Sequence, residues 1–169
     1  MALFLPYIDY YRILDITKED FDRMGIAGLI LDVDNTLTTH DNPVPLDHVI
    51  EWLRNMQDSG IKMMIVSNNH SERVKPFAEM LGLDYVSEGR KPLNDGFKRA
   101  INLMNLPKEK VAVIGDQIFT DILGANLFGI KSILVEPIEL EKKGFLHFKR
   151  IIEKPILKHY RKIKAKRGR

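Results

Sequence analysis

Two carboxylates one residue apart, Asp32 and Asp34, close an apolar run in the stretch GLILDVDNTLT at 28–38. Gly28-Leu29-Ile30-Leu31 reads as a fully buried strand, and a bare anionic pair at its end would repel itself and resist desolvation. Something positive must sit there. A third carboxylate, Asp116, ends the run VAVIG at 111–115. Three such groups can converge on a hard divalent cation, and Mg²⁺ suits one or two carboxylates completed by waters and a substrate phosphate. A carboxylate beside that ion stays ionised and can attack an electrophile whose charge the metal neutralises. Ser67, a small hydroxyl ending IKMMIVS (61–67) and followed by the backbone N–H groups of a helix entry, suits a phosphate oxygen. Lys91, just before Pro92, supplies a mobile cation. Asp121 follows Asp116 by five residues.

These residues meet only if strand ends are brought together. Five β-rich runs are predicted, at 28–33, 61–67, 84–87, 111–115 and 131–135. Between them the spacing predicts helices over 46–58, 71–81, 93–104 and 119–128, with Ser71 as an N-cap and Gly82 and Gly129 after helix ends. Strands joined by helices imply an α/β fold, a doubly wound, Rossmann-like parallel sheet of about five strands flanked by helices. Such sheets bind ligands at the carboxyl ends of their strands, where strand order reverses. The polar residues named above stand at those ends. Taken singly, Asp34, Asn35 and Thr36 read as turn chemistry and Ser67-Asn68-Asn69 as a helix entry; four such sets in order are far less probable by accident. Met63, Met64 and Met80 read as core packing, Trp52 as core or edge, and the five histidines show no metal-ligand spacing.

At 169 residues and 44% hydrophobic, the chain suits one compact domain with a real core. Zero cysteines exclude disulfides and Cys-ligated zinc, and no apolar run reaches the length of a membrane span. The N-terminal MALFLPYIDYY lacks a basic leader and a small-residue cleavage site, and reads as mature protein. The net charge of +3 hides an asymmetry: residues 149–169 carry ten Lys/Arg against Glu153, a local net of +9, which leaves 1–148 at −6. The expected division is therefore a domain over 1–148, with 1–24 as a lead-in, and a basic tail over 149–169. Ile156, Tyr160 and Ile163 could line one face of a short tail helix, a pattern suited to anionic lipid. A basic tail with a tyrosine suits RNA as well, and a solvated end is the plain alternative.

The quoted segments carry a resemblance. DVDNT, SNN, RKP and GDQIFTD stand in the order and spacing of the four motifs of haloacid dehalogenase-like (HAD) phosphohydrolases. LPYIDYYRILDIT, SNNHSERV and GANLFGI extend it over nearly the whole chain and resemble the YqeG-type branch of the subclass IIIA phosphatases, which is similar to phosphatidylglycerophosphate phosphatases. The resemblance implies that Asp32 attacks phosphorus to form an aspartyl-phosphate, while Asp34 protonates the leaving alkoxide and then deprotonates the hydrolytic water. It implies Mg²⁺ on the Asp32 side chain, the Asp34 backbone carbonyl and Asp116. Ser67 and the Asn68 backbone would hold the phosphate and Lys91 would offset its charge. Asp121 would orient the Asp116 or Lys91 side, and Thr36 would shape the loop and contact phosphate.

Only about 30 residues separate Asp34 from Ser67, and about 25 separate Ser67 from Lys91, so neither usual position holds a cap domain. An open site favours a phosphate displayed on something large. The leading expectation is a Mg²⁺-dependent phosphomonoester phosphatase acting on a lipid headgroup, phosphatidylglycerophosphate, in the cytoplasm and at the inner face of an anionic membrane. Nucleotide, polynucleotide or phosphoprotein ends form a second enzymatic reading, and an RNA- or ribosome-associated factor that keeps the fold is a non-catalytic one. A receiver-type signalling domain is disfavoured, because the strand ending DYVSEGRK offers no phosphate-accepting Asp and receivers lack the acid/base that Asp34 supplies.

Overall fold

The computed structural model describes residues 2–140 and 144–167. In chain order its regular elements are β1 (Ile8–Tyr10), α1 (Lys18–Met24), β2 (Gly28–Leu31), α2 (Asp47–Asp58), β3 (Lys62–Val66), α3 (Ser71–Leu81), β4 (Asp84–Val86), α4 (Asp95–Met104), β5 (Val111–Gly115), α5 (Leu123–Phe128), β6 (Lys131–Val135) and α6 (Gly144–Arg167). The strands form one parallel sheet in the order β1-β6-β5-β2-β3-β4. From β2 the chain steps outward to β3 and β4, then crosses back to β5 on the other side. The order therefore reverses between β2 and β5, which is where such sheets open a crevice.

Register puts the chemistry level with that crevice. Leu31 of β2 stands beside Ile114 of β5 and Ile65 of β3, so the residues that follow these three strands leave the sheet at one edge. Strand alternation sorts the apolar residues into two layers. Leu29, Leu31, Ile65 and Ile114 pack with Phe21, Trp52, Leu53 and Phe77, while Ile30, Met64, Val66 and Val113 pack with Phe97, Ala100 and Ala125. Trp52 is core, with its Nε1–H donating to the Ile16 carbonyl at 2.8 Å. All of these side chains are buried.

The doubly wound parallel architecture is the expected one, with several differences. A sixth strand, β1, lies inside the expected lead-in; it is three half-buried residues at the sheet edge, too short to show a period. Strand β2 stops at Leu31 rather than 33, because Val33 already turns to accept from Thr36 and Leu37. Helix α3 is capped by His70, and Ser71 is its first residue. The segment expected as one helix over 119–128 opens with a π turn, Ile118–Ile122, before α5. Met80 is exposed on α3, whereas Met63 and Met64 are buried as expected.

The largest difference lies at the C-terminus. The expected division between 148 and 149 falls inside α6, which docks on the sheet; residues 168 and 169 of the tail lie outside the described residues. Ile156 and Leu157 pack against Ile118, Ile122 and Leu134. Tyr160 is buried, and its hydroxyl donates to Asp9 Oδ1 at 3.2 Å. The face expected to meet lipid through Ile156 and Tyr160 is thus covered by the protein itself.

Candidate active site

Asp32 leaves β2 with its N–H donating to the Ile114 carbonyl, which ties its backbone to β5 at the edge where the two strands end. Lys91 reaches it from the loop after β4: its Nζ pairs with Asp32 Oδ1 and lies 2.7 Å from Asp121 Oδ1. Both ends of that bridge are buried, Asp32 at 7% and Lys91 at 6% exposure. The Asn68 side chain fixes the lysine's backbone from both sides, accepting from the Lys91 N–H at 2.7 Å and donating to its carbonyl at 3.0 Å. The Lys91–Pro92 peptide is cis. Ser67 is buried at the end of β3, with Oγ accepting from the Asn69 N–H at 3.2 Å.

Asp116 follows β5, and Asp121 comes back to it from the π turn with Oδ2 accepting from the Gln117 N–H at 3.2 Å. One carboxylate oxygen from each of Asp32, Asp116 and Asp121 falls within 4.8 Å of the others. That close return needs Gly115, where an added Cβ would stand 2.4 Å from the Asp121 carboxyl carbon. Gly115→Ala is therefore expected to push Asp121 away from Lys91 and to lower kcat/KM about 10²-fold, the cost of a roughly 1 Å misplacement at a reacting centre. An unchanged rate in the folded variant would show that this placement of Asp121 is not needed.

Asp34 points elsewhere. Its side chain pairs with Arg73 of α3, accepts from Asn69 Nδ2 at 2.7 Å and accepts from the Asp41 N–H at 3.1 Å. The two carboxylates thus face different partners, Lys91 for the buried Asp32 and Arg73 for the half-buried Asp34. Thr36 is buried, its hydroxyl has no hydrogen-bond partner, and it lines a mainly apolar cavity of about 270 Å³ with Tyr11, Leu46, Val135 and Ile138. No helical or sheet module is inserted between Asp32 and Ser67, or between Ser67 and Lys91, beyond α2, β3, α3 and β4.

Electrostatics indicate what the crevice lacks. Burial pushes the Asp32 carboxyl up to about 7 against the pull of Lys91, with Asp121 and Asp34 adding to the rise. Asp116 is pushed well up by burial, against the neighbouring Arg150. Burial alone would depress the Lys91 ammonium, but Asp121 and Asp32 outweigh it and raise it. Among the described residues, the buried acids Asp32, Asp116, Asp121 and Glu153 face Lys91 and Arg150 as buried or nearly buried cations, which with all four acids ionised is a shortfall of two positive charges. Asp116 Oδ1 is also buried without a hydrogen-bond partner. An all-oxygen donor set, an orphaned carboxylate oxygen and a deficit of two fit a hard dication.

The structure brings together Asp32, Lys91, Asp116 and Asp121, with Ser67 and Asn68 beside them. Three contributors are not among the sequence-predicted residues. Arg73 carried one usable signal, its place in the first turn of the helix after β3. Arg150 and Glu153 lie in the basic tail, where a lone buried acid among ten bases was the only trace.

A doubly wound parallel sheet with acids converging at its switch point is the arrangement that the motif resemblance to haloacid dehalogenase-like hydrolases implies. The model of that family, described as "haloacid dehalogenase-like hydrolase", matches residues 15–129, and the chain belongs to it. Within the family the chain is 42% identical over 154 residues to Bacillus subtilis "Probable phosphatase YqeG", covering 91% of this chain and 90% of that one. It is 36% identical over 121 residues to the mitochondrial phosphatidylglycerophosphatase GEP4 of Saccharomyces cerevisiae, covering 62% of this chain and 64% of that one. Among solved structures, a haloacid dehalogenase-like hydrolase from Brucella suis superposes with a TM-score of 0.59 at 12% identity, covering 74% of this chain and 88% of that one. The 4-nitrophenylphosphatase of Thermotoga maritima gives 0.58 at 14% identity, with 70% and 88% covered. These two share the fold. The chain is accordingly a hydrolase of phosphate monoesters.

Proposed function

We propose that the protein is a Mg²⁺-dependent phosphatase that works through an aspartyl-phosphate on Asp32, with a lipid-borne phosphomonoester, phosphatidylglycerophosphate, as its leading substrate. The observation that carries the chemistry is the pairing of a buried Asp32, held by Lys91 beside the deficient acid cluster, with a second carboxylate, Asp34, turned toward Arg73. Asp32, Asp116 and the Asp34 carbonyl would hold the cation, which when bound neutralises phosphate charge and keeps Asp32 ionised.

The residues then divide the work. Ser67 and the Asn68 backbone receive the phosphoryl oxygens, and Lys91 offsets the charge that develops on them. An Asp32 oxygen bonds to phosphorus as the ester P–O bond breaks, and Asp34 gives its proton to the departing alkoxide. Asp34 next takes a proton from water, whose oxygen attacks phosphorus and releases inorganic phosphate from Asp32. Asp121 steadies Lys91, and Thr36 shapes the turn that follows Asp34, its N–H donating to the Val33 carbonyl.

Substrate class is supported by the likeness to GEP4 and by the open, capless site. No helix among the described residues is long and apolar enough to cross a membrane. A peripheral contact is supported by α6, which exposes Phe148, Ile151 and Ile152 beside Lys149 and Lys154, an apolar-basic surface matched to anionic lipid. The test is phosphate release from phosphatidylglycerophosphate in mixed micelles, with and without Mg²⁺, beside soluble and polynucleotide phosphomonoesters. Mg²⁺-dependent release that favours the lipid, and falls when Ile151 and Ile152 are both changed to Glu, is expected. Hydrolysis of soluble or polymer-borne esters with an inert lipid would remove the lipid assignment and keep the chemistry.

A further inference from the structure

We infer that Arg150 is a positioning residue for Asp116, through which the C-terminal helix α6 sets the metal affinity of a site to which it contributes no ligand. This rests on Asp116 being a metal ligand, as proposed above. Arg150 grips one residue twice: its Nη1–H donates to the Asp116 main-chain carbonyl at 2.7 Å, and Nη2 pairs with Asp116 Oδ2. The same Nη1 lies 3.2 Å from Glu153 Oε2, and Glu153 Oε1 accepts from the Ile118 N–H at 2.8 Å. One turn of α6 thereby holds the loop after β5 at residues 116 and 118.

The grip divides the Asp116 carboxylate. Oδ2 is committed to the guanidinium, while Oδ1 is buried and has no hydrogen-bond partner. A planar fork that takes both the carbonyl and one carboxylate oxygen of the same residue leaves the side chain little rotational freedom. Groups that orient a ligand without touching the metal govern affinity strongly, and their loss costs about 10–100-fold. Glu153 belongs to the same device. It is 2% exposed, and its charge balances the arginine that would otherwise compete with a cation for Asp116.

The opposite arrangement, in which the guanidinium occupies the cation's place and must leave before metal enters, makes the reverse forecast, so one titration separates them. Mg²⁺ binding to the substrate-free full chain is measured calorimetrically for the wild type, R150M, R150K, D116N and Y160F, with apo melting curves as the check on folding. R150M is expected to bind Mg²⁺ 10–100-fold more weakly, and R150K, which keeps the charge but loses the fork, to fall between. Y160F, which removes only the contact to Asp9, is expected at wild-type affinity; a loss equal to that of R150M would overturn the assignment to Arg150. A folded R150M that binds Mg²⁺ as tightly as the wild type, or more tightly, overturns it too. Should R150M not fold, wild-type affinity in R150K does the same. D116N that binds like the wild type, or a wild type that binds no Mg²⁺, removes the metal reading itself.

Discussion

Asp32→Asn is expected to abolish turnover, with kcat reduced by at least about 10⁴-fold, while the metal-free chain keeps or gains stability. The first half follows from the nucleophile: an amide oxygen does not form an acyl-phosphate, and losing a group that acts as part of a unit removes most of the acceleration. The second half follows from the charge deficit. Removing one of four buried acids relieves repulsion among Asp32, Asp116 and Asp121. Asn retains an oxygen for Lys91, whose other partner, Asp121, stays at 2.7 Å. Breaking a buried pair is ordinarily costly because a charge is stranded, but here none is stranded, and a gain of about 1–2 kcal/mol is expected. Phosphate release and chemical denaturation in chelator check the two halves. Activity within tenfold of wild type would remove Asp32 as nucleophile, and a loss of more than about 2 kcal/mol would make the Lys91–Asp32 bridge a structural one.

Contrast between apolar strands and the polar residues that end them explains why so much of the site was legible. Asp32, Ser67 and Asp116 stand next to strands that are apolar on both faces, so each strand announces itself by a continuous hydrophobic run and each functional group by its abrupt end, while Lys91, in the loop after β4, was marked by its place before Pro92. Parallel register does the rest, setting Leu31 beside Ile65 and Ile114. What escaped had no such contrast. β1 is three residues at an edge, and its pairing depends on β6, more than 120 residues away in sequence. Arg150 looked like any solvated cation because most bases of α6, Lys154, Lys158, Arg161, Lys162 and Lys166 among them, are indeed exposed; only the docking of Ile156, Leu157 and Tyr160 turns its side of the helix inward. Met80 erred the other way, since an apolar residue on an amphipathic helix can still fall on the outer face. Arg73 gave only a faint signal, a base in a first turn where it opposes the helix dipole, and its pairing with Asp34 appears only when α3 is laid against the loop after β2.

Gly89 and Gly96 show a further dependence that no local pattern reveals. A Cβ on Gly96 would stand 2.5 Å from the Gly89 carbonyl oxygen, and the Gly96 N–H donates to that oxygen at 3.2 Å. Gly89 N–H in turn donates to the Ser67 carbonyl at 2.8 Å. The start of α4 is thus pressed onto the loop that carries Lys91, and that loop onto Ser67, the proposed phosphate-binding residue. Catalytic placement here is a property of backbone approach as much as of the side chains that do the chemistry.

Asp34→Asn is expected to separate the two half-reactions that the proposed mechanism assigns to one carboxylate. With an alkyl phosphomonoester the departing alkoxide needs a proton, so transfer to Asp32 is expected to slow by about 10²–10⁴-fold. With 4-nitrophenyl phosphate the leaving group departs without one, so transfer survives, while hydrolysis of the aspartyl-phosphate still lacks its base. The expected result is a burst of nitrophenolate near one equivalent per enzyme, then slow turnover, with phosphate trapped on Asp32 in the quenched protein. The geometry limits what else the variant changes, because Asn can keep an oxygen toward Arg73 and the Asp41 N–H; with the capacity to carry a proton it gives up the charge beside Arg73 and the acceptor of Asn69 Nδ2. Equal slowing on both esters without a burst would place Asp34 in loop architecture rather than proton transfer. Its contacts with Arg73, Asn69 and Asp41 would then be the whole of its role, and the water that frees the phosphate would need a different base.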